Sequence, residues 1–256
     1  MPEIERLQLR FLEKVWGSTI LEPLYPNHAG KIGEVWFEAD HPLPLLVKFL
    51  FTTDKLSVQV HPKDDYAAVH HNSRGKTEMW YVVAAEPGAQ VAVGFHEPIS
   101  RERLREASVT GEIERLLQWY DAKPGDTFFL PAGTVHAIGG GLVLCEIQQY
   151  SDITYRLYDY GRPRELHLDQ GVEVSDLGPA HPRSKAREGL LVECPYFTTH
   201  LLHGGGELPG GKEWMLAVIR GSGSIGGQPV KAGEGFYVPA GNVRIEGDVD
   251  VLCGAA

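Results

Sequence analysis

PGDTFFLPAGTVHAI at residues 124–138 and AGEGFYVPAGNVRIE at residues 232–246 are two versions of one phrase. Each opens on a small-residue turn, passes through a short run that is mostly apolar, turns again at Pro-Ala-Gly and resumes. Runs this short, punctuated by glycine and proline, read as strands and not as helices. A second pair supports the match: MWYVVAAEPGAQV (79–91) and EWMLAVIRGSGSI (213–225) align through Trp80 and Trp214. The first pair lies 108 residues apart and the second 134, so the first copy holds about 26 extra residues between its two matches. ISRERLREASVTGEIERLLQWYDAK fills that interval. Its Arg, Glu and Leu content predicts a helical insert over about 97–121.

Elsewhere PLLVKFLFT, KLSVQVH, LVLCEIQQ and ITYRLYDY add further short β runs, and helical character recurs only in DDYAAVHHN. Thirty glycines and seventeen prolines suit strands joined by tight turns. The fold expected is mainly β, and the repeated PGD…PAGxxH phrase resembles the cupin fold, a small jelly-roll barrel. Two such barrels fit the chain. A catalytic, metal-binding domain with the helical insert is expected over 1–174, and a second, degenerate domain without metal ligands over 190–256. The Gly-, Pro- and charge-rich stretch 175–189 is the expected linker.

A net charge of -10 argues against nucleic-acid and anionic-membrane binding, since both need a basic surface. The most apolar run, LPLLVKFLF, is nine residues long and carries Lys48, against about 20 needed to span a bilayer. MPEIERLQLRFLEK has no unbroken apolar core, so no secretory signal is expected. Cys145, Cys194 and Cys253 lack a CxxC spacing and read as buried thiols of a reducing cytoplasm.

LSVQVHP, residues 56–62, alternates apolar and polar residues. On a strand it puts Ser57, Gln59 and His61 on one face and Val58 and Val60 on the other. Glu78 in GKTEMWYV and His136 in PAGTVH join Gln59 and His61 as a potential metal set, each pointing into one barrel mouth. Imidazole, carboxylate and amide oxygen suit a divalent ion of zinc type, and ligand type alone is equally consistent with iron, cobalt or manganese. Singly, each residue is as readily a satisfied structural side chain. Comparison of the copies favours the metal: the second has Arg244 at the position of His136, Lys212 and Glu213 out of phase near Glu78, and no QVH. His70 and His71 are alternative ligands, and the remaining histidines read as structural. Around this set lie Lys48 in an apolar strand, Lys76 beside Glu78, and Glu146, Asp152 and Arg156 in EIQQYSDITYRLYDYGR. Together they form a local basic and polar nest in an otherwise acidic protein. Their ordinary readings are an edge-strand charge for Lys48, an ion pair with Glu78 for Lys76, and surface charges for the rest.

KVWGS, IGEVWFEAD, PLLVKFL, LSVQVHP, GKTEMWYVV, PGDTFFLPAGTVHAIGGGLVLCEIQQ and SDITYRLYDYGR together resemble the type I mannose-6-phosphate isomerases of the short bacterial kind, over most of residues 10–165. The resemblance implies a zinc site at Gln59, His61, Glu78 and His136. It implies active-site roles for Ser57, Lys76, Asp152 and Arg156, with Lys48 and Glu146 lining the pocket. Arg156, Lys76 and Asp152 are then catalytic, and Ser57, Lys48 and Glu146 bind substrate. The implied reaction interconverts mannose 6-phosphate and fructose 6-phosphate by proton transfer through an enediol. The partner is a small sugar phosphate, and the protein is expected to be a cytoplasmic monomer or weak homo-oligomer. Rival readings are an isomerase for another aldose, an iron-dependent cupin oxygenase, which would usually keep a second histidine at Gln59, and a non-catalytic sugar-sensing cupin.

Overall fold

The computed structural model describes residues 4–182 and 189–256. The chain is mainly β, built of antiparallel strands with four short helices among the described residues, as the repeated turn-and-run pattern implies. No helix among the described residues is long and apolar enough to cross a membrane.

Two compact units form, and they interleave along the chain. One contains residues 4–51, 143–150 and 189–256; the other contains 52–142 and 151–182. The order expected from composition, 1–174 then 190–256, differs because the first strands pack with the last. Glu5 and Arg6 pair with Tyr237 and Phe236, and the Tyr25 hydroxyl donates to the Gly233 carbonyl. Residues 176–182, assigned by composition to the linker, are tied by backbone bonds: Asp176 N–H donates to Gly133 O, and Phe129 N–H to Pro182 O. Residues 183–188 of that stretch lie outside the described residues.

In the first unit an eight-stranded sheet is built around the long strands Trp214–Ile225 and Val243–Ala255. Trp214, Leu216, Phe236, Val238, Val249 and Val251 belong to one buried apolar cluster. The strands Gln8–Ser18, Ile32–Glu38, Leu45–Thr52 and Leu142–Gln149 lie side by side in that order.

The second unit carries a five-stranded sheet in the order Tyr155–Tyr158, Val58–Val60, His136–Ile138, Gln90–Phe95, Leu117–Asp121. Val58, Val60, Ala137, Tyr155 and Leu157 share one face and pack with Leu104 and Ala107 of a helix, Arg101–Thr110. Ser100 caps that helix by accepting from Arg103 N–H, and Gly111 ends it. The helical insert is shorter than expected from sequence. After a single turn at Ile113–Leu116 the chain becomes the strand Leu117–Asp121, because LQWYD finds an open edge beside Gln90–Phe95. The helix Leu168–Val174 had no counterpart in the sequence pattern.

Registers refine the comparison of the copies. Glu78 pairs with Leu130 and Trp80 with Phe128, whereas in the later hairpin Trp214 pairs with Val238 and Leu216 with Phe236. Trp214 therefore stands where Glu78 does, two residues from the alignment made through the tryptophans. Arg244 is exposed and ion-paired with Glu246, so it does not reproduce the buried setting of His136.

Candidate active site

Everything at the core of the site lies within the second unit. Gln59 is the middle of a row: His136 is its direct partner on one neighbouring strand and Arg156 on the other. Cross-strand partners project from the same face, and the opposite face is the apolar cluster containing Val58 and Val60. The alternation in LSVQVHP thus separates core from chemistry.

The loop after His61 leaves at Pro62 and returns at Lys76, whose N–H donates to Pro62 O. This closure needs Gly75. A Cβ there would come within 2.7–2.8 Å of backbone atoms of Pro62, Lys63 and Asp64. The Pro-Ala-Gly turn serves the same site: Gly133, with φ of 96°, donates its N–H to His61 O at 2.8 Å. Ala132 N–H donates to Thr77 Oγ1 at 3.2 Å, so the two motifs hold each other.

His61, Glu78 and His136 are 1–2% exposed, and their ligand atoms lie within 4.8 Å of one another. Each imidazole is oriented by its own backbone contact. His61 Nδ1 lies 2.8 Å from Ile153 O and His136 Nδ1 lies 2.9 Å from Thr134 O. A carbonyl can only accept, so both Nδ1 atoms carry hydrogen, which leaves Nε2 of each ring as the atom that can offer a lone pair to the centre. His61 Nε2 and His136 Nε2 are each 3.5 Å from an oxygen of Glu78. That is close to the edge, about 3.4 Å, of a tetrahedron with bonds of roughly 2.1 Å. The Gln59 amide lies 3.3 Å from His136 Nε2, and a half-turn of the amide presents its oxygen at the same place. Two imidazole nitrogens, a carboxylate and an amide oxygen fit a divalent ion.

Lys76 is also buried, with Nζ 2.8 Å from Glu78 Oε2 and 3.0 Å from His61 Nε2. Its ordinary reading, a pair with Glu78, is therefore part of the site. Ser57 Oγ lies 3.4 Å from Gln59 Oε1. Arg156 is half-buried; Nη1 donates to Glu165 O, and its buried Nε has no hydrogen-bond partner among the described residues. Burial, and then the nearby Arg164, lower its pKa. Asp152 is exposed, and its backbone carbonyl accepts from Thr154 Oγ1. Lys48 and Glu146 belong to the other unit, where they form a buried ion pair at 3.1 Å. His71 is engaged by the Tyr155 hydroxyl, not by the metal set.

Some participants were hidden in the sequence. The carbonyls of Ile153 and Thr134 fix the histidine rings but have no side-chain signature. His167 accepts the Arg156 N–H through Nδ1 at 3.1 Å, and Trp80 meets the His136 ring edge-on at 5.4 Å. Neither could be told from a structural aromatic by composition.

No protein-family model matches the chain. Mannose-6-phosphate isomerase ManA of Bacillus subtilis strain 168 is 39% identical over 260 residues, a match covering 92% of this chain and 81% of ManA. The chain belongs to the mannose-6-phosphate isomerase family. The mannose-6-phosphate isomerase of Streptococcus mutans is 41% identical over 199 residues, 73% of this chain, and the match spans 62% of that protein's length. Among solved structures, the mannose 6-phosphate isomerase from Bacillus subtilis aligns with a TM-score of 0.85 and 28% identity, covering 99% of both chains. A zinc-bound mannose 6-phosphate isomerase shares the fold at a TM-score of 0.76 and 16% identity, covering 98% of this chain and 99% of its own. The family is of the cupin fold, in agreement with the repeated phrase.

Proposed function

We propose that this chain is a zinc-dependent aldose–ketose isomerase that interconverts mannose 6-phosphate and fructose 6-phosphate by proton transfer through an enediol. The observation that carries the proposal is the buried convergence of His61, Glu78 and His136, in a member of this family. Gln59, His61, Glu78 and His136 would hold the zinc. Bound there, it supplies positive charge against the negative charge that develops on the sugar oxygens.

The chain's own residues do the rest. Arg156, partnered with Gln59 across the sheet, offers a planar fork of donors that stays charged. Lys76 is the amine within reach of the same centre and one candidate for carrying the proton from C2 to C1. Asp152 is a further candidate, on the loop that supplies Ile153 O to His61. Ser57, beside Gln59, binds substrate, as do Lys48 and Glu146 in the family resemblance. The His–Glu–His set is itself buried, so the atoms that would hold the ion are shielded from bulk water. A cytoplasmic location and a monomeric or weakly oligomeric state belong to the same proposal.

The test is a coupled assay for ketose formation with metal-loaded protein, comparing mannose 6-phosphate with mannose. A preference of at least roughly 100-fold in kcat/KM for the phosphorylated sugar is expected, because charge-assisted bonds to phosphate are strong. Equal rates would move the substrate to another aldose, and no product from either would remove the isomerase.

A further inference from the structure

We infer that Glu34 is a positioning residue for Lys48, setting the place of its ammonium for an anionic substrate, an inference that rests on the reading above in which Lys48 binds substrate. Four adjacent strands of the first unit each place one member in a charged network: Lys14, Glu34, Lys48 and Glu146. Trp36 is the direct cross-strand partner of Lys48, and Glu34, two residues along, shares its face.

The two oxygens of Glu34 have different duties. Oε2 accepts from Trp36 Nε1 at 3.0 Å and pairs with Lys14 Nζ at 3.1 Å. Oε1 lies 3.8 Å from Lys48 Nζ, beyond hydrogen-bond distance, so it acts on the ammonium by charge. Lys48 Nζ is meanwhile 3.1 Å from Glu146 Oε1 and 5.4 Å from the centroid of the Trp36 ring. Glu146 fixes the ammonium by contact; Glu34, anchored by Trp36 and Lys14, fixes the direction from which it is pulled. Burial raises the Glu34 pKa, but Lys48, Lys14 and the Trp36 indole together outweigh it and leave it lowered, so the residue is an anion in the folded protein. Side-chain exposures of 7% for Lys48, 12% for Glu34 and 3% for Glu146 make the network expensive to bury. Apolar residues of similar size would commonly serve stability as well or better. A network of two cations and two carboxylates is therefore weak as a stabilising device, and it surrounds the lysine that the family resemblance places against substrate.

Steady-state kinetics of the metal-loaded protein with mannose 6-phosphate test this, alongside thermal denaturation. Lys48→Met should raise KM by at least about tenfold, the size of one lost charged interaction. Glu34→Gln should raise KM by about tenfold with kcat within roughly threefold, and the double variant should be no worse than Lys48→Met alone. Glu34→Asp, which keeps the charge, should recover part of the loss. A purely structural Glu34 would lower Tm and leave KM alone, and that result, with KM still raised by Lys48→Met, overturns the positioning role only. An unchanged KM in Lys48→Met overturns the substrate role of Lys48 and the inference with it. Trp36→Phe, which removes one indole N–H, keeps the test available where Glu34→Gln fails to fold. It should raise KM by about two- to threefold, and an unchanged KM counts against the inference.

Discussion

Gln59 and His136 are direct partners across antiparallel strands, with the amide nitrogen 3.3 Å from His136 Nε2. Because Arg156 flanks Gln59 on its other side, one row across three strands carries two metal-ligand candidates and a permanent cation.

His136→Ala removes a proposed ligand whose ring is held by Thr134 O. Metal content, measured by atomic absorption, should fall from about one ion per chain to under roughly a tenth. The far-ultraviolet circular dichroism should stay unchanged. Full metal content in the variant would remove His136 from the site.

Arg156→Ala should leave the metal bound and lower turnover by about 100-fold, the scale of losing a charged donor aimed at a developing oxyanion. A kcat within twofold of the parent would sink that role.

Gly133→Ala forces a side chain onto a backbone with φ of 96° whose N–H holds His61 O. The cost should be about 1–3 kcal/mol, seen as a fall of roughly 2–12 °C in Tm. Metal affinity should weaken with it, since His61 loses its anchor. Wild-type Tm and affinity together would show that the turn does not matter.

Glu34 has a folded pKa below its ordinary value of 4.5. The folded state therefore binds fewer protons than the unfolded state in the range between the two values. The stability this contributes is fully present above about pH 4.5 and is lost as pH falls through the folded pKa. Urea denaturation from pH 7 down to 3 should show a shallower acid loss in Glu34→Gln than in the parent. Parallel curves would remove Glu34 from the acid response.

In the later hairpin Trp214 is 2% exposed and stands opposite Val238. Trp214→Ala should cost about 3–5 kcal/mol, while Arg244→Ala, an exposed pair with Glu246, should cost under about 0.5 kcal/mol. Denaturant melts of the two variants check the contrast.

Short alternating runs and glycine turns made the β class legible, and the period of two in LSVQVHP placed Gln59 and His61 on the face away from Val58 and Val60. GKTE and PAGTVH were legible for a physical reason: Gly75 and Gly133 occupy places where a side chain would collide or strain. What escaped was long-range. Nothing local tells that Glu5 pairs with Tyr237, so sequence alone places the units in chain order. The tryptophan alignment was attractive because Trp80 and Trp214 are both buried, but burial does not fix register, and pairing moved the match by two residues. LQWYD follows a helix and continues its pattern, yet an open sheet edge claims it. The carbonyls of Ile153 and Thr134 carry no sequence signal at all.

The most direct test of the whole account is fructose 6-phosphate formation from mannose 6-phosphate, assayed before chelation, after chelation and after zinc is returned. Activity should vanish on chelation and recover with zinc in the parent protein, with no recovery in His61→Ala or His136→Ala. Undiminished activity in fully demetallated protein would contradict the metal role assigned to Gln59, His61, Glu78 and His136.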